Sequence, residues 1–180
     1  MDIINLIHKP LSDEDIHKIL GYKCKIIKYF ELGDYKDLDD LMPNLTDAVV
    51  ILYEKSLNSG HWVGLLKHNH NTFEFFDPHG LQADKELLWI NLKTRRLLHE
   101  ETPYLTNLLQ NETYTYNKIK YQSSDAYANA CGFHVCHRIY RIFNNNMNLE
   151  EYHKYMNSIK EEYKISYDTI VAIFIQMMLD

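Results

Sequence analysis

Cys131 stands where a polar stretch, "QSSDAYANA", runs into the apolar-periodic segment "CGFHVCHRIYRIF". A thiol at the first residue of a helix sits in the field of the macrodipole and beside free N–H groups. Both stabilise the thiolate, the reactive form. The same N–H groups can hold the oxyanion of an acyl-transfer intermediate. Gly132 follows, and the lack of a side chain there lets a substrate backbone approach closely. A nucleophilic thiol needs a base, and the base needs an orienter. His61 opens the segment "HWVGLL", and Asp77 closes "FEFFD" sixteen residues later. If these segments are antiparallel strands joined by a turn at 67–71, their far ends meet at one rim. Gln122 begins the polar stretch and offers a side-chain amide as a second oxyanion donor.

The elements that must position these groups are legible as patterns. Ser12 with Asp15 three residues on forms a capping box. Ile16, Ile19 and Leu20 follow at helical spacing, and Gly21 is a stop. "DYKDLDDL" (34–41) reads as a short surface helix or loop. "AVVILY" (48–53) is a β-branched run, a buried strand. Asn58 to Gly60 form a turn, and "HWVGLL" and "FEFFD" are the next strands, ended by Pro78 and Gly80. Residues 82–101 carry leucines at helical spacing, with Arg95 and Arg96 on a solvated side. A second helix is expected at 104–110. "TYTYNKIKY" (113–121) alternates like a strand. Residues 131–143 form the nucleophile helix, which "NNNMN" breaks. "LEEYHKYM" and "YDTIVAIFIQMML" are further helices, the last apolar all round and so expected to be largely buried. The expected fold is α+β, a small mixed sheet flanked by helices, within a single domain over 1–180.

Composition sets the outer limits. The chain has 180 residues, 46% apolar, with a net charge of −6 from 19 basic and 25 acidic side chains. That balance points away from nucleic acid as a partner. Three cysteines, Cys24, Cys131 and Cys136, make no disulfide framework and suggest a reducing, intracellular compartment. The N-terminus lacks the basic and apolar regions of a secretory signal. The longest apolar run is too short to span a bilayer. No cofactor is expected.

The order His61, Asp77, Gln122, Cys131-Gly132 resembles that of the adenovirus-protease/ubiquitin-like-protease superfamily of cysteine peptidases. "GHWVGLL…FEFFDPHG" is similar to that family's His-Trp strand and acidic-Pro-x-Gly turn, and "NACGFHVCHRIYRIF" to its nucleophile helix. Small virus and virophage enzymes are the nearest in size. The resemblance implies a papain-like arrangement in which Cys131 is the nucleophile, His61 the base, Asp77 the orienter and Gln122 an oxyanion donor. Trp62 would help roof a narrow substrate channel. It further implies cleavage after small residues, often glycine, in viral capsid or core precursors, within a virion or the host cytoplasm. An isopeptidase acting on ubiquitin-like proteins, an acetyltransferase with the same triad and a non-catalytic module are the rival readings. The separation of Gln122 from Cys131, nine residues, exceeds the family's usual six or seven. Asn129 is therefore the alternative donor.

Other reactive side chains have plainer readings. "HNH" at 68–70 lacks the scaffold of a nuclease or zinc motif, although His68, His70 and His79 are ligand types. His134 and His137 are expected on the exposed side of the nucleophile helix, and Cys136 in the core.

Overall fold

The computed structural model describes residues 7–21, 24–44, 47–69, 72–124 and 129–179. Among these residues a five-stranded sheet has the spatial order β1-β2-β3-β4-β5. The strands are β1 (Lys25–Lys28), β2 (Ala48–Ser56), β3 (Ser59–Asn69), β4 (Thr72–Phe76) and β5 (Thr113–Tyr116). The central β2-β3-β4 meander is antiparallel, and each outer strand joins it in parallel. The sheet is mixed and the fold α+β, as expected.

β2 reads as a continuous apolar run because the sheet is covered on both faces. Val50 and Leu52 join a core with Trp62, Leu66 and helix residues Ile16, Phe133, Ile139, Tyr152 and Val171. Val49, Ile51 and Tyr53 face the other way, with Val63, Leu65, Phe73 and Phe75 against Leu38, Leu87 and Leu105. The two-residue period of the strands thus sorts one run into two cores. The first face carries α1 (Asp13–Leu20), α5 (Cys131–Asn145), α6 (Leu149–Tyr163) and α7 (Tyr167–Leu179). The second carries α2 (Leu38–Leu41), α4 (Tyr104–Leu109) and the 3-10 turns Tyr29–Asp34 and Lys85–Trp89. The capping box of α1 forms as read, with Ser12 accepting from the Asp15 amide and Asp15 accepting from Ser12.

Helix α5 is fastened to the sheet by a buried ion pair. Arg138 Nε and Nη2 donate to the two carboxylate oxygens of Glu74 on β4, each at 2.7 Å. Neither side chain has any exposed surface. His68 Nε2 lies 2.9 Å from the same carboxylate. A bidentate pair of this kind fixes rotation as well as distance, so the helix presents Cys131 in one orientation.

Several expectations need correction. Residues 82–101 are not one helix but the turn Lys85–Trp89 followed by α3 (Leu92–Leu97). Asn91 interrupts them by capping a new helix start through the Thr94 amide. The strand expected over 113–121 ends at Tyr116. There the buried Asn117 side chain engages other backbone instead of extending the ladder. β3 runs on through residue 69, and the turn residues 70–71 lie outside the described residues. The last helix is buried on one side only: Ile173, Met177, Met178 and Leu179 are exposed.

Candidate active site

His61 and Asp77 meet at the rim where β3 begins and β4 ends. Pairing stops at Gly64↔Phe76. Continued past that point, the register would set Asp77 against Val63 and His79 against His61. Asp77 therefore reaches His61 along the diagonal, from the same face of the sheet. His61 Nε2 lies 2.8 Å from Asp77 Oδ1, with both groups buried. Cys131 interacts with the same imidazole. Burial opposes a charge on His61, yet its bonds to Asp77 and Cys131 outweigh it and lift its pKa to about 10. Burial likewise opposes the Cys131 thiolate, but the bond and charge of His61 and the backbone N–H groups of Trp62 and Gly132 pull its pKa below the ordinary thiol value. Both shifts favour a thiolate–imidazolium pair. Ala130, at the N-cap of α5, gives the first-turn N–H groups no side-chain cap.

The Asp-Pro-His-Gly turn sets two of these groups at once. Asp77 Oδ1 accepts from the His79 amide, and Asp77 O accepts from the Gly80 amide. Gly80 takes φ +75°, and a Cβ there would sit 3.0 Å from the Ile119 backbone. The chain 119–122 therefore lies flat on the turn, and the Tyr121 and Gln122 amides both donate to Pro78 O. Asn117 locks the junction. Its Oδ1 accepts from the Asp77 amide and its Nδ2 donates to the Asp77 and Ile119 carbonyls. The turn that carries Asp77 thus also holds the backbone of Gln122.

These groups border a cleft of about 440 Å³, whose walls include Ser59, His61, His79, Trp89, Gln122, Asn129 and Cys131. Gln122 and Asn129 both border this cleft. Asn129 donates its side-chain amide to the His8 carbonyl and its backbone amide to the Ile7 carbonyl. It anchors the start of the nucleophile helix to the N-terminal segment. His79 stacks on His61, with ring centroids 4.2 Å apart and planes 2° from parallel. Glu86, buried, lies 3.6 Å from His79 Nδ1 and 3.0 Å from Lys55 Nζ. Burial would raise its pKa, but His79, His61 and Lys55 together bring it down to about 2. His61, His79 and Glu86 offer ligand atoms within 4.8 Å of one another. The stacked rings fit a metal poorly, because their in-plane lone pairs run parallel and do not converge.

No family model matches the chain. It is 32% identical over 165 residues to the uncharacterized protein V9 of Sputnik virophage, covering 91% of this chain and 92% of that protein. The chain belongs to the V9 family. Among solved structures it is similar to the ASFV pS273R protease, with a TM-score of 0.45 and 15% identity over 77% of this chain and 60% of that one. It is also similar to the SUMO protease Ulp1, with a TM-score of 0.43 and 13% identity over 97% of this chain and 81% of that one.

In this V9-family chain some sequence assignments take a different place. Trp62 packs against Gly132 at the start of α5. It lines the adjoining groove with Asp13, Lys28 and Leu52, and its Nε1 donates to the Leu11 carbonyl. The exposed indole at the cleft is Trp89, tilted against His79 at 5.5 Å. Gly132 is buried, and a Cβ there would meet Leu11 and Trp62 at 3.2 Å. Its missing side chain makes room for Leu11 and Trp62. His134 and His137 are fully buried, which corrects the expectation of exposure. His134 Nε2 lies 2.7 Å from Asp168 Oδ1, and His137 Nδ1 lies 2.9 Å from the Tyr152 hydroxyl. Cys136 is in the core, as expected, and Cys24 is buried too. Arg96 is solvated beside Glu101. His70 lies outside the described residues. Glu86, Trp89, Asn117 and Asp168 were not singled out by sequence, and His79 was read there only as a ligand type. Only His79 carried a signal, as the variable residue inside the Asp-Pro-x-Gly turn.

Among the described residues no helix is long and apolar enough to cross a membrane.

Proposed function

We propose that the chain is a cysteine endopeptidase and that residues 1–180 serve as a single protease domain. The observation that carries this reading is the three-membered contact Cys131–His61–Asp77, assembled at the edge of a cleft from a helix start and two strand ends. The Cys131 thiolate attacks the scissile carbonyl carbon, forming a C–S bond and an oxyanion. The Cys131 N–H and the Gln122 amide stabilise that oxyanion. His61, protonated, gives its proton to the leaving amine as the C–N bond breaks, and a thioester remains. Water then attacks the thioester, His61 takes its proton, and the thiolate leaves. Asp77 holds the imidazole and stabilises its charge. Gln122 is taken as the donor on its order before Cys131, and Asn129, whose side-chain amide donates to the His8 carbonyl, is the alternative.

The family's virophage member supports a viral setting. The proposed substrates are capsid or core precursor proteins cut after small residues, glycine foremost, inside the infected cell or virion. The test is to incubate the protein with virophage structural precursors, alongside a ubiquitin-like fusion, and map the cuts by mass spectrometry. Cuts after glycine in a precursor, absent with Cys131→Ala, are expected. Cleavage of the ubiquitin-like fusion alone would make the enzyme an isopeptidase. No cleavage by the wild-type chain of any protein offered would count against peptidase activity.

A further inference from the structure

We infer that Asp168, on the last helix, is a positioning residue that ties the Gln122 strand exit to the nucleophile helix. The inference deepens the proposed function and rests on Gln122 and Cys131 having the roles given there. Asp168 lies in the first turn of α7, where a carboxylate ordinarily serves the helix's own N–H groups. Its two oxygens point elsewhere. Oδ1 lies 2.7 Å from His134 Nε2, and Oδ2 accepts from the Ser123 amide at 3.0 Å. His134 follows Cys131 by three residues on α5, and Ser123 adjoins Gln122. One buried side chain from a third element therefore spans the two halves of the oxyanion hole.

The opposite side of the same segment is held by Pro78 O, which accepts from the Tyr121 and Gln122 amides. Gln122 thus sits between two anchors, the turn that orients His61's partner and the carboxylate that grips the nucleophile helix. This arrangement frees the distance between Gln122 and Cys131 from the length of the intervening loop. Nine residues can separate them in sequence because Asp168, and not the loop, sets the gap in space. Burial and neighbouring cations keep His134 neutral by lowering its pKa. Its Nε2–H then donates to a carboxylate that remains charged, a strong and directional contact.

The test is a double-mutant cycle of Asp168→Asn with Gln122→Ala. A small misplacement of a catalytic group is costly, so Asp168→Asn alone should lower kcat on a peptide about 10- to 100-fold. KM should move little, since the contact matters in the transition state. Alkylation of Cys131 by iodoacetamide, which needs the thiolate but no oxyanion donor, should stay at the wild-type rate. In the Gln122→Ala background the same change should cost almost nothing further. An equal loss in both backgrounds, or an unchanged kcat, overturns the inference. Asp168→Glu keeps the charge but displaces it by a methylene. It serves where Asp168→Asn does not fold, and a wild-type kcat in that variant also overturns the inference. Hydrogen exchange at the Ser123 amide separates this inference from the proposed function. Exchange should quicken in Asp168→Asn whether or not the chain cuts peptides, and unchanged exchange sinks the clamp. A wild-type chain that cuts no peptide would sink the proposed function instead.

Discussion

Two buried His–Asp pairs lie in this molecule, and they do opposite things. His61 and Asp77 are 2.8 Å apart, and His134 and Asp168 are 2.7 Å apart. Both histidines are inaccessible to solvent or nearly so. Yet burial, opposed by Asp77 and Cys131, leaves His61 with its pKa raised to about 10. At His134 burial wins over the single carboxylate, and the pKa falls below the usual value. The difference is the third partner. Cys131 can supply a negative charge beside the His61 imidazole. His134 has no such neighbour, since its Nδ1 is buried without a hydrogen-bond partner. A His–Asp contact becomes an acid–base device when a second ionisable group completes it beside a cleft. Without those additions it is a fastener.

The comparison breaks most sharply at the nucleophilic end. Cys131→Ala and His61→Ala should each reduce peptide cleavage to background while leaving the thermal transition of Cys131→Ala near that of the wild type, as both groups act as one unit. His134→Ala should leave cleavage measurable but destabilise the fold. It removes a hydrogen-bond partner of the buried Asp168 carboxylate, at a cost of about 1–3 kcal/mol readable by urea unfolding. Full activity in His61→Ala would erase the distinction between the pairs.

The oxyanion donor comes next. Gln122→Ala should lower kcat about 100- to 1000-fold with KM nearly constant. Asn129→Ala should have a smaller effect, through the loosened contact with His8. If kinetics show the large loss in Asn129→Ala and none in Gln122→Ala, the donor is Asn129.

The orienters separate the pairs more finely. Asp77→Asn should cost roughly 10- to 1000-fold in kcat, less than in a serine triad because the thiolate already pairs with the imidazolium. The alkaline limb of the pH–rate profile should then move to lower pH, because the charge that helps hold the His61 proton is gone. An unchanged profile would reduce Asp77 to a turn residue.

The smallest effect is on stability against pH. His134 is depressed in the folded state, so the unfolded chain binds a proton more readily. Its contribution is full above the unfolded value, about 6.5, and stability is lost as pH falls below it. His61 has the reverse sign: its contribution is full below about 6.5 and is lost as pH rises towards about 10. Urea midpoints followed with pH should decline less steeply below about pH 6.5 in His134→Gln, while His137 and His153, also depressed, still contribute. An identical decline in that variant would assign it to other groups.

What the sequence disclosed and what it hid follow one physical line. Cys131 before glycine at a helix start, and His61 and Asp77 at the ends of successive strands, are local features whose chemistry shows in residue type and position. The central strands were legible for the same reason. Asp168 was hidden because an acidic residue in a first helical turn already has a local explanation, and its true partners lie 45 and 34 residues away. His134 and His137 looked exposed because polarity alone suggested it. Their burial depends on Asp168 and Tyr152, supplied by other helices. The leucine spacing over 82–101 suits a helix, yet a single Asn91 cap divides it. Gln122 was proposed from order, and its backbone is held by Pro78, while Asp168 holds the neighbouring Ser123, contacts that no spacing rule contains.

The central claim is that Cys131 rests as a thiolate paired with His61. The most direct measurement is the rate of Cys131 alkylation by iodoacetamide as a function of pH, localised by mass spectrometry. Cys24 and Cys136 provide internal silence, since burial pushes Cys24 up to about 12 and Cys136 well above the usual thiol value. The expected result is rapid labelling of Cys131 well below the ordinary thiol range, with a second change near pH 10 as His61 loses its proton. In His61→Ala the low-pH labelling should vanish. A Cys131 that titrates as an ordinary or elevated thiol in the wild-type chain, indifferent to His61→Ala, would contradict the account.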